Sequence, residues 1–236
     1  MKILAVEASC SVAGVALTED NILRAEFTLN YKMTHSQTIM PLINEVKQYL
    51  NLDLKSIDYI ACSAGPGSFT GLRIGAATAK GIAMGIKKPI VPVSTLAGLA
   101  YNVYMTDALI CPVIDARRDQ VYTAFYEWKD GKLNTVIEDR IAMIDDVIKE
   151  AQEFNKTVIF VGDGIFVHAD KINSVNTFMA PASCNMQRAS SVASLAAELV
   201  KEGRYIEGSS FVPVYLRKSQ AERELEEKML GAKAND

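Results

Sequence analysis

The stretch KILAVEASCSVAGVALTEDNILRAEFTL, residues 2–29, decides the architecture. It divides into three short apolar runs, Lys2–Ala8, Val12–Thr18 and Ile22–Leu29, with turn residues between them. Asp20-Asn21 suits a hairpin, because both side chains tolerate turn conformations. A helix is expected to follow at Thr34. Thr34 and Gln37 have capping-box spacing, and Ile39, Leu42, Ile43, Val46 and Leu50 fall on one helical face. Next come a strand over Ile57–Ser63, the loop Gly65-Pro-Gly-Ser-Phe-Thr-Gly71 and a second helix to about Gly85. Strand Ile90–Val93 and helix Thr95–Tyr104 complete the unit. The order is β-β-β-α-β-α-β-α.

Outward from this unit, the second half repeats the order more loosely. Ala108–Ile114, Val121–Trp128 and Lys132–Arg140 read as strands, and Met143–Glu153 as a helix. Thr157–Val161 reads as a buried strand, followed by Gly162-Asp163-Gly164 and a helix over roughly Gln187–Glu202. A β-β-β-α-β-α order thus appears twice, without clear residue-level identity. The expected division is residues 1–104, residues 105–216 and a charge-rich tail, residues 217–236. In the tail, Arg223–Glu227 and Glu224–Lys228 have the spacing of pairs on a helix surface.

Composition narrows the function. The chain has 236 residues, 49% hydrophobic, with 25 basic and 28 acidic side chains for a net charge of −3. That is the profile of a folded globular protein. The near-neutral balance argues against tight stand-alone binding to nucleic acid, which rests on basic side chains meeting phosphates. The opening MKILAVEASC is too short for a signal-peptide core with a cleavage site, and no segment approaches the roughly 20 apolar residues of a membrane span. Cys10, Cys62, Cys111 and Cys184 match no zinc spacing, so buried free thiols and a cytoplasmic location are expected.

Two copies of one α/β unit around a cleft form the layout of the actin, sugar-kinase and Hsp70 superfamily, the ASKHA fold. In that layout each β1–β2 turn holds phosphate, usually with an Asp for the metal and small residues that admit the anion. Here the first turn is Glu7-Ala8-Ser9-Cys10-Ser11, with Glu for Asp and no glycine. The second is Asp115-Ala116-Arg117-Arg118-Asp119, which fills the loop with two arginines. The adenosine loop has become Gly162-Asp163-Gly164. Three altered sites argue against independent ATP hydrolysis. The two histidines, His35 and His168, lie in opposite halves and cannot form a two-histidine metal site on one helix. The expectation is that the chain has no catalytic, metal or cofactor residue of its own.

The second helix offers a different kind of site. Gly71, Gly75, Ala79 and Ala83 recur every four residues and make a ridge without side-chain bulk. Glycine costs about 1 kcal/mol relative to Ala in a helix interior, so a close contact is expected to compensate. Two readings stay open: packing on the chain's own sheet, or docking against a partner helix. The Gly65–Gly71 loop likewise reads either as an anion loop before a helix capped by Ser68 or Thr70 or as a tight strand-to-helix turn. Met33, Met40 and Leu42 add apolar surface to the first helix.

The segments ILAVEASCSVAGVAL, SAGPGSFTGLRIGAATAKGIA, IDARRDQVYTAFY and PVYLRKSQAE, in this order, resemble the TsaB family, also called YeaZ, from residue 1 to about residue 222. GPGSFTGLRIG and DARRDQVY are the specific signatures. The resemblance implies an actin-like pseudoenzyme that partners TsaD, the subunit keeping the paired metal-binding histidines. TsaD transfers a threonylcarbamoyl group from threonylcarbamoyl-adenylate to N6 of adenosine 37 in tRNAs reading ANN codons. TsaC makes the adenylate, and TsaE is an ATPase that binds the TsaB–TsaD pair, so ATP and magnesium belong to the assembled complex. Members form homodimers when alone, and the older glycoprotease-like label does not denote peptidase activity. The implied partner surface is the first helix, around Thr34, His35, Thr38, Leu42 and Val46, and the second, around Gly71, Arg73, Gly75 and Lys80. Arg117 and Arg118 match the family motif without an assigned role. The alternative from another class is an independent ATP-dependent kinase of the same superfamily.

Overall fold

The computed structural model describes residues 1–31, 33–172 and 177–217. The charged tail beyond Arg217, with its expected helical pairs, lies outside the described residues. The first half runs β1 (Lys2–Glu7), β2 (Ala13–Glu19), β3 (Ile22–Leu29), α1 (His35–Tyr49), β4 (Tyr59–Gly65), α2 (Phe69–Ile86), β5 (Ile90–Ser94) and α3 (Thr95–Ala100). The second runs β6 (Leu109–Asp115), β7 (Gln120–Lys129), β8 (Lys132–Met143), α4 (Ile144–Glu153), β9 (Val158–Val161), α5 (Gly164–Val167), α6 (Ala169–Ile172), β10 (Thr177–Met179) and α7 (Ala189–Lys201).

Each half forms a five-stranded sheet, ordered β3-β2-β1-β4-β5 and β8-β7-β6-β9-β10. In both, the first three strands are antiparallel and the last two join the central strand in parallel. The two orders match position for position. This is the duplicated actin-like frame that the strand pattern implies.

The central strands are buried on both faces, as expected for parallel strands covered on two sides. Along β1, Leu4 and Val6 face a core shared with α1 and α2, while Ile3 and Ala5 face a core shared with α7. The period of two along a strand sends neighbours to opposite faces. The second sheet divides in the same way, with α4 packed on one side and α3 on the other.

The two halves exchange helices across this inner layer. Leu96, Leu99 and Ala100 of α3 pack on the second sheet, and Ala189, Val192, Ala193 and Ala196 of α7 pack on the first. The chain then stays with the first sheet. Ile206 pairs with Ile90, Phe211 enters the first core, and Val214 N–H donates to the Ala64 carbonyl at 2.7 Å. Residues 189–214, counted by sequence order with the second half, therefore pack against the first. Glu26 ties β3 to this returning helix by accepting from Ser190 N (3.0 Å), Ser190 Oγ (2.6 Å) and the Arg188 guanidinium.

Local departures have local causes. The helix expected over Thr95–Tyr104 ends at Ala100. Beyond it, Asn102 Nδ2 donates to the Cys184 and Met186 carbonyls, and the Val103 carbonyl accepts from Trp128 Nε1 at 2.7 Å, so tertiary bonds take over from the helical ladder. The short α5, α6 and β10 carry no sequence periodicity long enough to read. Cys10, Cys62 and Cys111 are buried free thiols and Cys184 is a half-buried one. Burial pushes the Cys111 thiol up to about 12.

Candidate functional site

The two counterparts of the phosphate-binding turns face one cleft of about 440 Å³, lined among others by Cys10, Ser68, Asp115, Arg117, Asp163 and Tyr215. At the β1–β2 turn, Glu7 does not point into it. The side chain is 1% exposed. Its Oε1 accepts from Ser9 N at 2.7 Å and from Ser9 Oγ, and its Oε2 accepts from Ser63 Oγ. Burial raises the Glu7 carboxyl above its ordinary value, opposed by the Ser63 and Ser9 bonds and by nearby His35. His35 Nε2 lies 2.6 Å from the Cys10 carbonyl oxygen, while its Nδ1 is buried without a partner among the described residues. This tethers the start of α1 to the turn.

The Gly65–Gly71 loop lies directly on the same turn. A Cβ at Gly67 would strike the Ser9 carbonyl, and one at Gly71 the Ala8 carbonyl. Ser68 N–H donates to the Ser9 carbonyl at 2.6 Å, and Ser68 Oγ caps α2 by accepting from Gly71 N at 3.3 Å. Of the two readings of this loop, the geometry gives the tight turn, with glycines required for close backbone approach.

The β6–β7 turn is built differently. Arg117, Arg118 and Asp119 all have positive φ, at 65°, 57° and 57°. Gln120 N–H donates to the Arg117 carbonyl at 3.1 Å, and Asp115 Oδ1 accepts from Arg117 N at 2.8 Å. The tight turn leaves both arginines exposed. At the third altered site, Asp163 Oδ1 accepts from Asp115 N at 3.3 Å. Burial raises the Asp163 carboxyl, with the Asp115 charge adding to it. Gly162, at φ 123°, has no room for a Cβ beside the Val113 carbonyl.

A C-terminal strap lines the cleft between the turns. The Tyr215 ring sits 4.7 Å from Phe69, Arg217 Nη1 donates to the Ala116 carbonyl at 2.7 Å, and Lys80 Nζ donates to the Phe211 carbonyl at 3.1 Å. Glu7 thus keeps its oxygens bonded inward, while Asp115, Arg117, Asp163 and the strap residue Tyr215 line the cleft.

The helix residues named from the family resemblance divide between the interior and the surface. Thr34 caps α1, with Gln37 Oε1 reaching back to Thr34 N at 3.4 Å and Thr34 Oγ1 at 3.0 Å. Thr38 is buried and donates to the Thr34 carbonyl at 2.9 Å, Val46 is fully buried, and Leu42 packs on the first core. Gly71 and Gly75 face inward too, since a Cβ on Gly75 would lie 3.2 Å from Ala8 Cβ and 3.7 Å from Cys62 Sγ. The ridge Gly71, Gly75, Ala79 and Ala83 therefore packs on the chain's own sheet, and Thr38, Val46, Gly71 and Gly75 are corrected to interior positions. Lys80 anchors the strap. Arg73 remains exposed, its guanidinium 3.9 Å above the Phe69 ring.

The open face of α2 carries other residues. Ala77, Gly81, Met84 and Gly85 are exposed, and no described residue lies within 4 Å of a Cβ placed on Gly81 or Gly85. Met84 is 58% exposed, and Met40 on neighbouring α1 is 47% exposed. The sequence signal was present: Gly81 and Gly85 also stand four apart, but on the helix face away from Leu72 and Ala76.

Comparison with known proteins fits this geometry. A family model described as TsaD, tRNA N6-adenosine threonylcarbamoyltransferase, matches residues 23–225. The TsaB protein of Bacillus subtilis (strain 168), a tRNA threonylcarbamoyladenosine biosynthesis protein, is 36% identical over 225 residues, covering 94% of this chain and 96% of that one. The chain belongs to the TsaB family. The TsaB protein of Escherichia coli (strain K12) is 28% identical, over 95% of this chain and 98% of its own. A crystal structure of a Pseudomonas aeruginosa protein with similarity to the peptidase YeaZ superposes with a TM-score of 0.81 at 25% identity, covering 92% of this chain and 99% of that one. TsaB-family membership gives the chain a role in tRNA threonylcarbamoyladenosine biosynthesis. No helix among the described residues is long and apolar enough to cross a membrane.

Proposed function

We propose that this chain is a non-catalytic partner subunit of TsaD, required for transfer of the threonylcarbamoyl group to N6 of adenosine 37 in tRNA. The observation that carries the reading is the contrast between an inward-bonded Glu7 and an open α2 face. Glu7 holds Ser9 and Ser63 rather than presenting a carboxylate to the cleft. Gly81 and Gly85 each carry the helix cost of about 1 kcal/mol with no compensating contact among the described residues. Met84 and Met40 flank them with adaptable apolar surface. A second helix laid along this face recovers both costs. The partner surface is therefore the outer side of α1 and α2, with Thr34, Arg73, Ala77, Gly81 and Met84 facing out.

In this reading the chain binds TsaD as a heterodimer and pairs with itself through the same face when alone. TsaE docks on the assembled pair, while TsaC and tRNA connect to the chain indirectly. The chain has no cofactor by itself; ATP and magnesium act in the assembled complex, in the cytoplasm. The test is reconstitution of tRNA modification with TsaC, TsaD and TsaE, with and without this chain, reading modified nucleoside by mass spectrometry. The expected result is product only when the chain is present. Equal product without it overturns the reading.

A further inference from the structure

A second cleft, of about 460 Å³, opens between α3, α7 and the β7–β8 hairpin and shares no residue with the first. One wall is aromatic. Tyr101, Tyr126 and Trp128 line it. The Tyr101 and Trp128 rings meet edge-on at 5.1 Å, Tyr104 braces Trp128 at 4.7 Å, and Trp128 Nε1 is anchored on the Val103 carbonyl. The rings are thus held in place before any ligand arrives.

The opposite chemistry is acidic and asymmetrically paired. Glu202 is matched by Lys132 at 3.3 Å and Arg204 at 3.7 Å, and Glu198 by Lys201 at 2.8 Å. Asp139 has no cation partner among the described residues. Its Oδ1 accepts from Tyr126 OH and its Oδ2 from Ser94 Oγ, both at 2.6 Å, which orients the carboxylate without neutralising it. Glu138 also lines the cleft with no ion pair among the described residues. The local cations are committed to Glu202 and Glu198, so two acidic side chains beside an aromatic wall stand without counter-charges among the described residues. Aromatic faces attract cations through the ring quadrupole, and an anion entering here meets repulsion from both carboxylates.

We infer that this cleft binds a compact organic cation, an alkylammonium group set against Trp128 and Tyr101 with Asp139 and Glu138 as its counter-charges. This site does not depend on the TsaD partnership. Trp128 is the only tryptophan in the chain, so its emission reports on the cleft alone. The experiment titrates the intact protein with choline and with its neutral isostere 3,3-dimethylbutan-1-ol. A saturable change in Trp128 emission with choline is expected, with the isostere at least about tenfold weaker. Glu138→Gln, at an exposed side chain outside the fold's hydrogen bonds, is expected to weaken choline about threefold to tenfold while leaving the thermal midpoint unchanged. Saturation transfer from the protein to the choline methyl protons gives a second readout independent of fluorescence. Equal affinity for the isostere, an unaltered choline affinity in Glu138→Gln, or neither signal at about tens of millimolar choline each overturns the inference.

Discussion

At the β1–β2 turn the acidic residue folds inward and is held by two serines, whereas at the β6–β7 turn two arginines point outward from three consecutive left-handed residues. The strands behind these turns have the same order and the same pairing directions. The difference teaches where each kind of constraint acts. Strand order is held by apolar side chains buried on both sheet faces, and any change there opens a cavity or a clash. Turn residues face the cleft and answer only to the chemistry performed there. Here Glu7 serves as a packing group and the second turn carries bulk.

The sharpest way to break this comparison lies on α2, whose two faces obey different rules. Gly75→Leu forces a branched side chain against Ala8 and Cys62. A loss of stability on the order of 3 kcal/mol or more is expected, measured by chemical denaturation followed by circular dichroism. Gly81→Ala, on the open face, is expected to stabilise by about 1 kcal/mol. If the two substitutions behave alike, the assignment of inner and outer faces is wrong.

Two glutamates of the first half sharpen the account through pH. Burial works against the Glu26 charge, but the Arg188 and Ser190 bonds outweigh it and hold the carboxyl below its ordinary value. Its contribution is present above the unfolded pKa of about 4.3 and is lost as pH falls through the lower folded value. Glu26→Gln is expected to cost about 1–3 kcal/mol at neutral pH and to flatten the acid limb of the stability profile. Glu7 has the opposite sign. Its folded value is raised, so its ionisation costs stability progressively as pH rises from the unfolded value through the folded one. Glu7→Gln is expected to have its smallest benefit near the unfolded pKa and a larger one at neutral pH, read from denaturation midpoints across pH. A benefit that shrinks with rising pH contradicts the inward-bonded geometry.

Much of this architecture is readable from residues 2–100, where apolar runs are long and punctuated by Asp20-Asn21, the Thr34–Gln37 cap and the Gly65–Gly71 loop. The second half is less so, because α5, α6 and β10 are each four residues or fewer and carry no periodicity. The exchange of α3 and α7 between sheets is also silent in sequence, since an alanine-rich helix face fits either sheet. The candidate surface shows the same limit. Four-residue spacing marks both Gly71–Gly75 and Gly81–Gly85, and only the position of Ala8 and Cys62 shows which pair faces inward.

The central claim is that the chain acts through its outer α1–α2 face. The direct test is size exclusion with light scattering on this chain mixed with TsaD at about ten micromolar, comparing wild type with Gly81→Leu. Gly81→Leu adds its side chain on the open face of α2, where no described residue lies within 4 Å of the new Cβ. The account predicts a one-to-one complex for the wild type and separate species for Gly81→Leu, with both chains folded by circular dichroism. A complex that forms equally well with Gly81→Leu, or none with the wild type, contradicts it.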